Sequence, residues 1–376
     1  MISAVTQLAI SLIERESVTP NDGGCQQLIA ERLQRLGFRV EHLAFGAVSN
    51  LYARRGTERP LLMFLGHTDV VPTGPRERWS LDPFTPEIRD GALYGRGSAD
   101  MKGSIASALI ALQQFIEANP NHPGSLAVML TSDEEGPAKD GVRRVIDELE
   151  SRAEKIDYCL VGEPSSKDRL GDMIRVGRRG SLHALITIRG VQGHTAYPEK
   201  ALNPIHALAP ALVEFCAMRW DAGNAFFGPS TMQISNFNAG TGATNVIPGE
   251  LKFRANWRYG TASTTASIVE RTEALFQRYA LNAEYDWEIG GEPFLTLNGA
   301  LVDAVKATLL EHLGITTDAN TGGGTSDGRF VAPTGAQVVE LGPCNGSIHK
   351  IDEHVSIAEL DALVTIYQAI FQRLLK

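Results

Sequence analysis

The stretch 61-LLMFLGHTD-69 decides how the rest of the chain is read. Leu61 to Leu65 is an unbroken apolar run; Gly66 interrupts it, and His67 and Asp69 follow. A short apolar run bounded in this way predicts a strand buried on both faces, as in a parallel sheet. Open α/β sheets place their sites outside the carboxyl ends of such strands, and His67 and Asp69 stand at that end. In extended chain, residues two apart share a face, so Asp69 is expected to reach His67. A carboxylate behind an imidazole fixes its tautomer and raises its basicity, as behind a metal ligand.

Working outward, two more apolar runs repeat the pattern. Ser125–Thr131 predicts a buried strand that delivers Asp133, Glu134 and Glu135, and Tyr158–Val161 predicts one that delivers Glu163. Between the first two lies GRGSADMKGSIASALIALQQFIEA, a loop holding Asp100 and then a helix from about Lys102. Strands alternating with helices argue a doubly wound α/β sheet. From about Gly180 the pattern changes to strand-helix-strand-strand-helix-strand, the split βαβ or ferredoxin-like order. After Glu292-Pro293 a helix and a strand return to α/β character. The expected organisation is a discontinuous catalytic domain, 1–179 and 293–376, with an α+β ferredoxin-like domain, 180–292, inserted as a dimerisation domain.

The 376 residues carry 35 Lys+Arg against 44 Asp+Glu, a formal net charge of −9. No basic run points to nucleic acid or to a membrane surface, and no apolar run approaches membrane-spanning length. The expected partners are a small-molecule substrate and a second copy of the chain, with no nucleic acid and no membrane. Residues 2–15 read as an amphipathic helix without a basic leader or a small-residue cleavage site. Cys25, Cys159, Cys216 and Cys344 are scattered with no CxxC, which fits single thiols in a reducing cytoplasm. A metal site here has to be built from His, Asp and Glu.

The acids and imidazoles at the strand ends supply those ligands. They are His67 with Asp69, Asp100, Glu134-Glu135, Glu163, and His349 in the loop GPCNGSIHKIDEHV. An isolated loop acid is ordinarily solvated, and a lone His is ordinarily a surface or satisfied core residue. The coincidence of five stretches points to a site. Two His and three carboxylates can hold two divalent ions with one bridging carboxylate, a set that suits zinc and also cobalt or manganese. Adjacent residues in an extended segment point apart, so one of Glu134 and Glu135 can bind metal while the other stays free as a general base.

GHTDVVP, GRGSADMKG, TSDEEG, GEPS and GPCNGSIHKIDE, in this order, resemble the motifs of the co-catalytic zinc aminoacylase and carboxypeptidase family. The resemblance covers nearly the whole chain. It implies two zinc ions per subunit, for which cobalt substitutes. His67 and Glu163 would hold one ion and Glu135 and His349 the other, with Asp100 bridging. It implies further that Asp69 orients His67, that Glu134 is the base, and that a cis peptide follows Asp100. Within the family, TSDEEGPAKDGV, GDMIRVGRRGSL and GGGTSDGRF are similar to members that hydrolyse an N-succinyl amide of 2,6-diaminopimelate. Such a substrate carries three carboxylates, and Arg forks match carboxylates bidentately.

Arg178, Arg179, Arg258 and Arg329 are candidates for that role; the resemblance favours Arg178, Arg258, Asn245 and the loop Gly324-Thr325-Ser326 as the substrate-binding set. It also makes His194, in QGHTAYP, an oxyanion donor reaching across a dimer interface. The competing reading within the class is an acetylornithine deacetylase-like or other N-acyl-amino-acid deacylase. Two readings from other classes are a non-catalytic metal scaffold, which has no use for a free Glu134, and an oxidoreductase, which lacks its GxGxxG after the first strand.

Overall fold

The computed structural model describes residues 2–376. Leu61–His67 forms a strand buried along its whole length. It extends two residues past the apolar run because Ser125–Thr131 pairs with it in parallel to the last residue, His67 opposite Thr131. These strands lie in an eight-stranded sheet. Its order is Arg39–Phe45, Val48–Arg55, Ser125–Thr131, Leu61–His67, Tyr158–Val161, Gln337–Glu340, Met173–Arg175, Asp318–Asn320. The four central strands run parallel. The sheet is mixed rather than wholly parallel: the two strands at the Arg39 edge join antiparallel, as does Met173–Arg175 to Gln337–Glu340. Central burial explains the unbroken apolar runs, whereas the edge strands Arg39–Phe45 and Asp318–Asn320 contain no buried residue.

Helices Ala4–Ile13, Gly103–Ala118, Ala300–Leu313 and Ile357–Leu374 pack into one apolar cluster. Gly103, Ser104, Ala106, Ser107 and Ala108 are buried at the start of the second of these. Small side chains let it lie close to its neighbours, and the Ser107 hydroxyl donates to Leu360 O at 3.0 Å. Helix Val142–Ser151 packs instead against Val48–Arg55, Ser125–Thr131 and the short helix Gly328–Val331. A separate small antiparallel sheet joins Glu87–Arg89, Ala92–Tyr94 and His354–Ser356.

The chain divides into two compact units. One comprises the residues up to Gly177, Leu295–Asn320 and Ser326–Lys376; the other comprises Arg178–Phe294 and Thr321–Thr325. The second unit is a four-stranded antiparallel sheet in the order Thr231–Ala239, Glu250–Tyr259, Gly180–Arg189, Ala283–Gly291. Helices Pro204–Ala217 and Thr265–Arg278 close the split βαβ pattern. Along Glu250–Tyr259 every second residue is buried, from Leu251 to Tyr259. This face meets Phe276 in an aromatic core with Phe215 at its centre, in ring contact with Trp220, Phe253, Trp257 and Phe276. No helix among the described residues is long and apolar enough to cross a membrane.

Candidate metal centre

The strand ends of the first unit bring the acids and imidazoles together. His67 Nδ1 lies 2.9 Å from the main-chain oxygen of Asp69. A carbonyl only accepts, so Nδ1 carries the proton and the neutral ring has its lone pair on Nε2. That nitrogen faces Asp100 Oδ1 at 3.1 Å, Glu163 Oε1 at 3.6 Å and Glu134 Oε2 at 4.0 Å. The second oxygen of Asp100 faces His349 Nε2 at 3.4 Å, and Glu135 Oε1 faces the same nitrogen at 2.9 Å. Asp100 thus spans the two imidazoles with one oxygen toward each. The peptide after Asp100 is cis.

Two residue triads have ligand atoms close enough to share an ion: His67, Asp100 and Glu135, and His67, Glu134 and Glu163. On geometry alone Glu134 fits either as a ligand of the second triad or as a free carboxylate beside it. Glu134 and Glu135 lie in a turn rather than in extended chain. They still diverge, one toward His67 and the other toward His349.

The electrostatics favour a cation. Burial opposes charge on His67, but the hydrogen bond to Asp100 and the charges of Glu163 and Glu134 outweigh it and hold the imidazole well above its usual range. Hydrogen bonds to Asp100 and Glu135 push His349 up to about 10. Burial, reinforced by neighbouring acids, raises Glu134 and Glu163 well above the usual carboxylate range. Four carboxylates converge on two imidazoles, and buried charge of one sign is costly unless matched. A hard or borderline cation with N/O preference fits this donor set.

Asp69 reaches His67 as expected: its carboxylate is 3.7 Å from His67 Nδ1, and its main-chain oxygen is nearer, at 2.9 Å. The fully buried carboxylate also accepts the amides of Glu134 at 3.4 Å and Glu135 at 3.1 Å. It fixes the turn that presents both glutamates.

Beneath the ligands sits Met101. A Cβ placed on Gly66 would stand 2.7 Å from Met101 Cε, and one on Gly162 would stand 2.6 Å from it. Met101 Sδ also accepts from His67 N at 3.4 Å. The methionine therefore fills the space between the residues that precede His67 and Glu163, and only glycine leaves room for it there.

In the second unit, Gly193-His194 pairs with Val246-Ile247, and Thr195 N donates to Asn245 O at 3.1 Å. His194 and Asn245 are thereby neighbours. His194 Nδ1 accepts from Ala196 N at 3.0 Å, which leaves the proton of the neutral ring on exposed Nε2. Arg178 is 7% exposed and its Nη1 donates to Gly322 O at 2.7 Å and Gly324 O at 3.0 Å, tying it to the expected loop. Arg258 stands opposite Ser181 and Thr231 in the sheet. Ser326 differs from expectation: it is fully buried and its hydroxyl donates to Glu340 Oε1 at 2.5 Å. Its side chain anchors the loop, which leaves Gly324 and Thr325 as the loop's accessible positions.

Residues 63–373, a span that contains every ligand named above, match peptidase family M20/M25/M40. The chain belongs to that family. The chain is 59% identical over 374 residues to a succinyl-diaminopimelate desuccinylase of Methylococcus capsulatus, covering 100% of this chain and 99% of that protein. It is 57% identical over 374 residues to the enzyme of the same name from Thioalkalivibrio sulfidiphilus, covering 100% of each. A dinuclear metal-binding peptidase of the M20 family from Bacillus subtilis shares the fold, with a TM-score of 0.73 at 16% identity over 99% of this chain and 98% of that one. The M20 fold and the buried His and carboxylate groups agree on a metal-binding hydrolase.

Proposed function

We propose that this chain hydrolyses N-succinyl-LL-2,6-diaminopimelate to succinate and LL-2,6-diaminopimelate, in the diaminopimelate and lysine biosynthetic pathway. One observation carries the reading: end-to-end identity of 59% to a succinyl-diaminopimelate desuccinylase. The proposed cofactor is two zinc ions per subunit, with cobalt able to substitute. His67 and Glu163 would hold one and Glu135 and His349 the other, with Asp100 shared between them. The convergence of these side chains supports that assignment. Such a pair supplies Lewis-acid activation of a water and of the amide carbonyl when bound.

The chain's own residues do the rest. Glu134 removes the proton of the attacking water and passes it to the leaving amine. Asp69 holds the turn that aims Glu134. His194 donates a hydrogen bond from its Nε2–H to the developing oxyanion, from the other subunit of a homodimer formed through the inserted domain. Arg178 and Arg258 take the substrate carboxylates, with Asn245, Gly324 and Thr325 as polar contacts. The four cysteines are unpaired, which supports a cytoplasmic location.

The test is an acyl panel on purified, zinc-loaded protein. N-succinyl-diaminopimelate should exceed N-acetyl-diaminopimelate in kcat/KM by about 10⁴, because a site built for a charged partner penalises its absence. Equal values would refute the desuccinylase reading and leave a general deacylase.

A further inference from the structure

The segment that carries His349 also carries Glu353, and Glu353 reaches back to the segment that carries Asp100. Its side chain is 1% exposed. One oxygen, Oε1, accepts the backbone amides of Ala99 and Asp100, each at 3.1 Å. The other, Oε2, takes Nη1 of Arg96 at 2.7 Å. Arg96 is 2% exposed, and its guanidinium lies 5.0 Å from the centre of the Trp79 ring. The main chain joins in: Gly95 N donates to Glu353 O at 2.9 Å, and His354–Ser356 pairs with Ala92–Tyr94.

A carboxylate this deep is tolerated only when its lone pairs are met. Here they are met by one cation and by the amides of Ala99 and Asp100. His349, four residues before Glu353, has φ +59°. A side chain other than glycine rarely adopts that backbone, and it persists only where surroundings impose it. The same short stretch thus fixes one imidazole and grips the loop of the carboxylate facing it.

We propose that Glu353, whose charge Arg96 balances, is a positioning residue that through its amide-accepting oxygen sets where the Asp100 carboxylate stands relative to the His349 imidazole before any ion is bound. The inference rests on the reading that Asp100 and His349 share a metal centre. It goes beyond that reading by assigning a role to a residue that touches neither ion nor substrate. Ligands held at their spacing in advance lose less freedom on binding, and removing a partner that orients them typically weakens metal binding 10- to 100-fold. A buried ion pair that serves stability alone would leave metal affinity untouched in any variant that still folds.

Two measurements separate the alternatives. The first is hydrogen exchange on the metal-stripped wild-type chain. The amides of residues 97–102 should remain protected without metal; exchange at the rate of unstructured peptide would overturn the proposal. The second is zinc titration of the stripped protein, beside its melting temperature, for wild type, Glu353→Met and Arg96→Met/Glu353→Gln. Methionine removes the acceptor for the two amides. The double variant keeps an oxygen for them and removes both charges together.

Glu353→Met should bind one zinc about 10- to 100-fold more weakly. The double variant should stay within about threefold of wild type, although both variants melt lower. Equal loss in the two, or loss that follows melting temperature instead of the acceptor, overturns the assignment. Should Glu353→Met fail to fold, the double variant decides, and a loss of about tenfold or more there overturns it. A wild-type protein that takes up no zinc would count against the metal centre, while the exchange result would still judge the clamp.

Discussion

Asp327 gives the sharpest perturbation. It follows Ser326 in the loop, is 3% exposed, and neither carboxylate oxygen has a hydrogen-bond partner. Burial drives its pKa up; Arg329 and His67 pull it down, Asp69 and Asp133 push it further up, and the result is about 7. In the unfolded chain an aspartate titrates near ~3.9. Between about 4 and 7 the folded state therefore keeps a proton that the unfolded chain has released, so stability falls as pH rises through that window. Below it the group is neutral in both states and costs nothing. Above it the full penalty stands: about three pKa units at roughly 1.36 kcal/mol each, a ceiling on the order of 4 kcal/mol.

The variant is Asp327→Asn in metal-stripped protein, and the assay is urea unfolding at several pH values from about 4 to 8. The asparagine also lacks partners, so it should be no more stable than wild type at the acid end. Its advantage should then grow with pH by about 2–4 kcal/mol. Taking the difference between the two proteins removes the groups that do not interact with Asp327; Glu134, which the Asp327 charge pushes up, responds with it. Zinc added back should shrink the effect, because nearby cations favour the ionised carboxylate. A difference that stays flat across the range would refute the argument, since an orphaned buried carboxylate cannot be pH-neutral.

Other consequences are simpler to check. Glu134→Gln should keep its full metal content by elemental analysis and lose about 10²–10⁴ in kcat; loss of one metal would make Glu134 a ligand instead of the base. Gly162→Ala places a Cβ 2.6 Å from both Met101 Cε and Phe64 Cζ. It should cost about 1–3 kcal/mol in denaturant unfolding, and an unchanged midpoint would show that Met101 and Phe64 give way freely. Mixing His194→Ala with Glu134→Ala, both inactive, through co-expression should restore on the order of a quarter of wild-type activity if His194 acts across a dimer; mixed dimers without activity would place it in its own subunit's site.

The sequence revealed what depends on local burial. Ser125–Thr131 and Tyr158–Val161 are strands over the residues their apolar runs span, because a strand buried on both faces has no alternation to blur its ends. Helices Val142–Ser151 and Ile357–Leu374 lie outside the strand-end pattern that marks the site. The order of strands was not legible: Gln337–Glu340 inserts beside Tyr158–Val161 across a separation that no local pattern encodes. The contact of Asp69 with His67 was legible locally, but its further partners, the amides of Glu134 and Glu135, are 65 residues or more away. Ser326 resembles an available hydroxyl until Glu340, on another strand, is brought against it. Arg96 and Glu353 gave no local signal, since a lone Arg and a loop Glu are usually solvated.

These contacts separate the acids of the first unit into two kinds. Some are acceptors of backbone amides. Asp69 takes those of Glu134 and Glu135, Glu353 those of Ala99 and Asp100, and Asp133 those of Lys139 and Asp140 at 2.9 and 3.1 Å. A carboxylate so held has a fixed position, and it is poorly placed to exchange partners. The others meet side chains: Asp100 bridges His67 and His349, and Glu135 meets His349. Those contacts can be surrendered to a cation without unfolding a turn. On the proposed assignment the first kind builds the loops and the second kind supplies the ligands. Loss of a ligand acid should therefore empty a site in an intact protein. Loss of an amide-holding acid should loosen a loop whether or not metal is present.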